Sequence, residues 1–201
     1  MEVKTKKALE KIGESKIFAD FYMAGGTALA LQLKHRQSID LDWFSQKPIE
    51  TRKVIELLSK LGNLSVQYES EDTLHMILDE VKISVFYYPY NLIKPFVLYA
   101  EGVFLANEID IACMKLQAIS SRGSKKDFID LFFLLKKYQI HELLDFFNEK
   151  YAKIKYNHLH LLKSLVFFDD ADCEPMPIML INISWEEIKE FIIKAVKNLQ
   201  V

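Results

Sequence analysis

Cysteine is scarce in this sequence, with Cys113 and Cys173 the only two. They stand far apart and match no metal-binding spacing, so both read as free thiols of a reducing compartment. Long apolar runs are missing as well. None reaches membrane-spanning length, and the amino-terminal Met-Glu-Val-Lys-Thr-Lys-Lys is not followed by the apolar core of a signal peptide. A cytoplasmic location without a membrane partner is therefore expected. Positive charge is not in surplus: 26 Lys and Arg against 28 Asp and Glu give a formal net charge of -2. That argues against salt-driven coating of nucleic acid over the whole surface and leaves room for a local basic patch. There is no internal repeat and no low-complexity linker. What is there is a chain of 201 residues, 50% hydrophobic, with 14 Phe and 9 Tyr. This suffices for a sizeable core, in one domain or in two small ones sharing an interface.

Apolar periodicity predicts an amphipathic helix over residues 5–18, where Ala8, Leu9, Ile12 and Ile17 recur near helical spacing. A strand follows over 21–24, and a helix through Val54, Leu58 and Leu61 stops at Gly62. Strands are expected over 64–69, 74–78 and 81–88. The last two face each other across Asp79-Glu80, a two-residue hairpin turn without the favoured Asn-Gly. Pro89 and Pro95 break regular structure. From Asn107 the pattern turns helical, over 108–121, 125–138, 142–153, 158–168 and 185–199. The shift near residue 105 is the expected boundary between an α/β core, residues 1–105, and a helical part, residues 106–201.

The chain is organised around residues 25–44. Gly25 and Gly26 follow the apolar run Phe21-Tyr22-Met23-Ala24, and paired glycines let a backbone turn sharply and approach a ligand closely. Residues 27–34 read as a helix whose first-turn N–H groups point back at the glycines, a ready site for phosphate. Ile39, Leu41 and Trp43 then alternate with Asp40 and Asp42, which on a strand puts both carboxylates on one face. Two carboxylates about 7 Å apart, by strand rise, can hold Mg²⁺, which takes oxygen ligands and keeps positions open for phosphate. Gly-Gly alone is equally a plain turn, and Asp-Leu-Asp alone is equally the wet face of a half-buried strand. The order strand, Gly-Gly, helix, Asp-x-Asp is more specific than either part.

Gly25-Gly26-Thr27-Ala28-Leu29 followed by His35-Arg36-x-Ser38-x-Asp40-Leu41-Asp42-x-Phe44-Ser45 resembles the nucleotidyltransferase-like toxins of the AbiEii/AbiGii group (abortive infection type IV). That group includes the MenT toxins and belongs to the polymerase-beta-like nucleotidyltransferase superfamily. Many superfamily members share the short signature, whereas the longer His-Arg-x-Ser-x-Asp-Leu-Asp form is more particular to this group. The resemblance implies an α+β fold, a mixed sheet with flanking helices, followed by a helical part packed on the active site. It also implies a third carboxylate on a strand beside Asp-x-Asp. On the matching strand, 81–87, the inward polar position is Ser84, which carries no charge. Either two carboxylates suffice or another segment supplies the third.

A second constellation lies in the helical part. Asn107-Glu108-Ile109-Asp110 has the form of a helix start with acids in its first turn. Lys115 lies near the apolar side of that helix, and Arg122 follows seven residues later, nearly in line. One reading is a snorkelling lysine; the other is a pair of cations reaching nucleotide phosphates. In the resembling group a helix of this kind carries a catalytic lysine. Ser124-x-x-Asp127 has the spacing of a capping box. The segment Lys126-Asp127-x-x-Asp130-Leu131 also matches a family motif, which would make Asp127 a general base, or an orienter of Lys115 or of the acceptor hydroxyl. Asp130 reads as a structural ion pair. The tail, 167–177, holds four acids that suit either a metal or a solvated loop.

The function so implied is metal-dependent nucleotidyl transfer. Asp40 and Asp42 would hold Mg²⁺ or Mn²⁺. Gly25, Gly26 and Thr27, with Arg36 and Ser38, would hold an NTP. Lys115 and Arg122 would neutralise charge, and Asp127 would complete the catalytic set. The resemblance favours a toxin acting on RNA, such as a tRNA 3′-end, with a co-encoded antitoxin as partner and Ser38 as a point of control by modification. Transfer to a small molecule or a protein, and nucleotide binding without turnover, are the competing readings. Lys34, His35, Arg36, Lys125 and Lys126 are the expected local grip on RNA.

Overall fold

The computed structural model describes residues 2–199. Met1, from the stretch read for a leader, and Gln200 and Val201, at the end of the expected helical part, lie outside the described residues. The chain divides into two compact units. One comprises Met1–Leu31 and Ser38–Asn107, the other Gln32–Gln37 and Glu108–Val201.

The first unit contains helix α1 (Val3–Ser15), strand β1 (Tyr22–Met23), most of helix α2 (Gly25–Leu33), strand β2 (Leu41–Ser45) and helix α3 (Thr51–Ser59). Strands β3 (Leu64–Glu69), β4 (Thr73–Leu78), β5 (Val81–Tyr87), β6 (Val97–Ala100) and β7 (Val103–Leu105) follow. They form one seven-stranded sheet in the order β3-β4-β5-β2-β1-β7-β6. β2 runs parallel to β5 and β1 parallel to β7, and the other neighbours are antiparallel. This is the mixed sheet of the expected α+β class. In β2, Leu41 and Trp43 are fully buried, and Trp43 stacks on Phe18 at 4.6 Å. Ile39 departs from the expected alternation. It is 45% exposed, because regular strand begins only at Leu41.

The β4–β5 turn forms as read. Leu78 pairs with Val81, and Asp79 and Glu80 both have positive φ, 47° and 70°, as the tight hairpin turn demands. Asp79 is steadied by the Asn63 N–H at 2.9 Å and by Lys11 Nζ at 3.1 Å. The pair β6–β7 was not legible in the sequence, since strands of four and three residues are too short to show an alternation.

The second unit holds α4 (Glu108–Ser121), α5 (Lys125–Leu135), α6 (Ile140–Lys150), α7 (His158–Ser164), α8 (Asp169–Asp172) and α9 (Trp185–Lys197). α4 packs on α5, α6 and α7, and α5 on α8 and α9. The rings of Phe128, Phe168 and Trp185 meet in the core. Asp110, expected as a first-turn acid, is buried and accepts from Lys150 Nζ at 2.7 Å, which ties α4 to α6. Residues 32–37 belong to this unit through a short bridge. Gln37 N–H donates to the Ile178 carbonyl at 2.8 Å, and Leu180 N–H to that of His35 at 2.9 Å.

Two of the four acids in the tail make structural contacts. Glu174 accepts the Lys125 N–H at 3.0 Å at the start of α5, and Asp172 accepts from Trp185 Nε1 at 2.6 Å and Lys189 Nζ at 3.1 Å. Among the described residues, no group of three or more His, Cys, Asp or Glu is placed to hold a metal. No helix of the described residues is long and apolar enough to cross a membrane.

Candidate active site

In the sheet unit the glycines and the carboxylates meet. β1 and β2 are antiparallel neighbours, with Met23 opposite Trp43. The next residue, Ala24, donates its N–H to the Asp42 carbonyl at 3.1 Å, so the glycine turn is set directly against Asp42. Gly25 has φ +73°, and a Cβ there would lie 2.9 Å from Asp42 Oδ2. That backbone favours glycine, and a side chain there would crowd the Asp42 carboxylate. Helix α2 starts at Gly25, not at Thr27, so both glycines belong to its first turn. Thr27 is buried, and its hydroxyl donates to Ser38 Oγ at 2.9 Å.

Asp40 and Asp42 are half-buried and line one cavity of about 460 Å³, together with Gln67, His75, Lys82 and Ser84. Ser84 stands beside Asp42 in the β2–β5 register, and His75 beside Ser84 in the β4–β5 register. The His75 Nδ1 to Ser84 Oγ distance is 3.1 Å. A hydroxyl and an imidazole thus occupy the place where a third carboxylate was sought. His75 was overlooked in the sequence, although the two-residue turn that pairs Leu78 with Val81 also fixes its partner. Two carboxylates are a hard oxygen donor set. They fit Mg²⁺ or Mn²⁺, which are commonly held by one or two carboxylates with water and substrate phosphate completing the shell.

In the helical unit the predicted residues form a buried charge cluster. Asp130 is 0% exposed. It accepts from Arg36 Nε at 2.7 Å and Nη2 at 2.8 Å, from His35 Nε2 at 2.7 Å, and from Lys115 Nζ at 2.6 Å. Asp127 accepts from Lys115 Nζ at 2.9 Å, from Arg122 Nε at 2.8 Å and Nη2 at 3.1 Å, and from Ser124 Oγ at 3.1 Å. Burial alone would raise both carboxyls. The charges of Lys115 and of Arg122 or Arg36, with their hydrogen bonds, outweigh it and hold both below the usual carboxylate range. Burial would likewise lower Lys115, but Asp130 and Asp127 keep it above its ordinary value.

Several expectations change here. The capping box does not form, because Ser124 makes no side-chain capping bond and the Asp127 carboxylate is taken by cations. Lys115 is no snorkelling lysine: it is 5% exposed and bridges two carboxylates. Arg36 has its guanidinium on Asp130, and the Arg122 side chain is 65% exposed while clasping Asp127. Three of the five residues expected to grip RNA cannot do so. His35 and Arg36 are buried on Asp130, and Lys125 is buried against Glu174 and the Trp185 ring. Lys34 and Lys126 are exposed. A cavity of about 560 Å³ lined by Leu135, Tyr138, Ile140 and Phe191 contains none of the predicted site residues.

A family model described as nucleotidyl transferase AbiEii toxin, type IV toxin–antitoxin system, matches residues 7–198. The chain belongs to this family. The AbiEii assignment covers nearly the whole sequence, and the chain is accordingly a nucleotidyltransferase. An uncharacterized protein of Aquifex aeolicus (strain VF5) is 41% identical over 204 residues, which cover 96% of this chain and 94% of that one. JHP933 from Helicobacter pylori has a similar fold, with TM-score 0.60 and 17% identity over 98% of this chain and 92% of its own. MenT4, a nucleotidyltransferase toxin from Mycobacterium tuberculosis H37Rv, aligns over 100% of this chain and 87% of its own, with TM-score 0.59 and 15% identity. At such identities the structural likeness speaks for the AbiEii fold alone.

Proposed function

We propose that this AbiEii-family enzyme is a metal-dependent toxin that transfers a nucleotide from an NTP to RNA in the cytoplasm, with an antitoxin as its partner. The observation that supports this best is the glycine turn seated against Asp42, on a cavity that Asp40 shares. Asp40 and Asp42 would hold Mg²⁺ or Mn²⁺. The chemistry a divalent ion supplies at such a site is polarisation of the phosphoryl oxygens and activation of the attacking hydroxyl. Gly25, Gly26 and Thr27 receive the phosphates at the start of α2, and Ser38 fixes the Thr27 hydroxyl. In the helical unit, Lys115 and Arg122 both sit on Asp127. A carboxyl held below its usual range is a poor proton acceptor, so Asp127 serves as the orienter of those two cations.

The test is incubation of the purified protein with each labelled NTP, Mg²⁺ and total RNA. Label entering RNA with one or more NTPs, dependent on the metal and lost in Asp42→Asn, is the expected result. Absence of transfer to RNA under all four NTPs, or transfer that ignores chelation, would sink the reading.

A further inference from the structure

From residue 150 to residue 168 the sequence carries four lysines, two histidines and no acid, within a chain of net charge -2. Lys150 is engaged inside the unit by Asp110. Lys153, Lys155, His158, His160 and Lys163 are all exposed. None of these three lysines forms an ion pair among the described residues. The fold gives this stretch a definite position. α7 packs on α4 and buries Leu161, with Leu165 just beyond it. The Asn157 side chain caps it by accepting the His160 N–H at 3.0 Å, and His160 Nε2 lies 3.0 Å from the Ser120 carbonyl oxygen. Ser120 is two residues from Arg122, the exposed cation that clasps Asp127. Apolar side chains stand among the charges, with Leu159 62% and Phe167 55% exposed. The basic stretch ends at Asp169 and Asp170.

We infer that this strip, with Lys153, Lys155 and Lys163 as its main charges, is the surface that holds the acceptor RNA by its phosphates. The inference rests on RNA being the acceptor, as proposed above. A run of lysines is most often a solvated face. Here it is tied to the end of α4 through His160 and the Ser120 carbonyl, and alternates with exposed apolar side chains, including an aromatic ring on which a base can stack. An acidic protein segment would match the charge, but gains less from an exposed aromatic ring flanking the lysines. The strip also replaces the grip that His35, Arg36 and Lys125 cannot provide.

The test is anisotropy of a labelled single-stranded RNA oligonucleotide across a salt series, with wild type and with Lys153→Glu/Lys155→Glu/Lys163→Glu. Affinity should fall at least tenfold in the triple variant. The slope of log affinity against log salt should become shallower by about 2, since each lost single-strand phosphate contact removes about 0.7. The milder Lys155→Gln/Lys163→Gln should move the same way by less. A control, Lys53→Glu/Lys60→Glu, on α3 and just beyond its end, should change neither quantity. RNA affinity and slope unchanged in the triple variant would overturn the inference. So would a wild type that binds polyglutamate through these lysines and does not bind RNA. Asp42→Asn separates the two readings, because it should abolish labelling without altering RNA affinity. Wild-type labelling by Asp42→Asn would count against the proposed function, while the salt slope would still decide the strip.

Discussion

Each unit presents a pair of aspartates in opposite circumstances. Asp40 and Asp42 are half-buried on a cavity wall in the sheet unit. Asp127 and Asp130 are at most 1% exposed in the helical unit, ringed by Lys115, Arg122, Arg36 and His35. A buried carboxylate persists only where donors meet it, and Asp130 is met from three residues. A carboxylate on a cavity wall keeps water that a metal or a phosphate can displace. The difference teaches that a motif of acids does not state its own role. Asp40-x-Asp42 lies open on a cavity wall, whereas Asp127-x-x-Asp130 holds together the cations around it.

The contrast is broken most severely at Asp130. Asp130→Asn leaves Arg36 and Lys115 buried without their full counter-charge and should cost roughly 3–5 kcal/mol, read from urea unfolding. A loss below 1 kcal/mol, about the value of an exposed pair, would show that the cluster does not hold the unit. Asp42→Asn should do the reverse. It should lower nucleotide transfer about 10²–10³-fold, as loss of a charge-stabilising group does, while the melting temperature does not fall. The two variants together form the comparison: one loses its fold and the other its chemistry.

Acid sharpens it further. Asp127 and Asp130 have depressed carboxyls. Their stabilisation is complete above the unfolded value of about 4 and fades as pH falls below it, and that of the raised Lys115 is complete below about 10 and fades as pH rises. Melting temperature should therefore be level through neutral pH and drop in acid, with a shallower acid limb in Asp130→Asn. An equally steep limb in that variant would remove Asp130 as the cause. The smallest effect concerns the thiols. Burial raises Cys113 to about 12, while Cys173 is exposed. A thiol reagent at neutral pH should titrate Cys173 in the native protein and both residues only after unfolding.

The arrangement of glycines and carboxylates in the sheet unit was legible because its signals are local. Gly25-Gly26 and the alternation through Asp42 lie within one short stretch, and the pairing of β1 with β2 needs no distant partner. The helical cluster was legible only in part. Lys115 on an apolar helix side read as either snorkelling or meeting an anion, and Asp127 was one residue named for it, but Asp130 was read as an ion pair without its partners. His35 and Arg36 reach Asp130 across 95 and 94 residues, and no periodicity records such a contact. The capping pattern at Ser124 and Asp127 misled because spacing shows which bond can form and not which donor wins. The cations Lys115 and Arg122 outcompete a backbone N–H for that carboxylate, and Glu174 supplies the helix start instead.

Asp130 also bears on how such a chain can change over generations. His35, Arg36 and Lys115 all converge on its two oxygens, so replacing any one member strands the charge of the others. The cluster can be rebuilt only by several substitutions at once, which makes it a barrier to gradual drift. In a genetic selection for cells that survive expression of the chain, inactivating changes should gather at His35, Arg36 and Asp130 as readily as at Asp40 and Asp42. A map of escape mutations would then outline two regions, and only one of them would mark where the nucleotide binds.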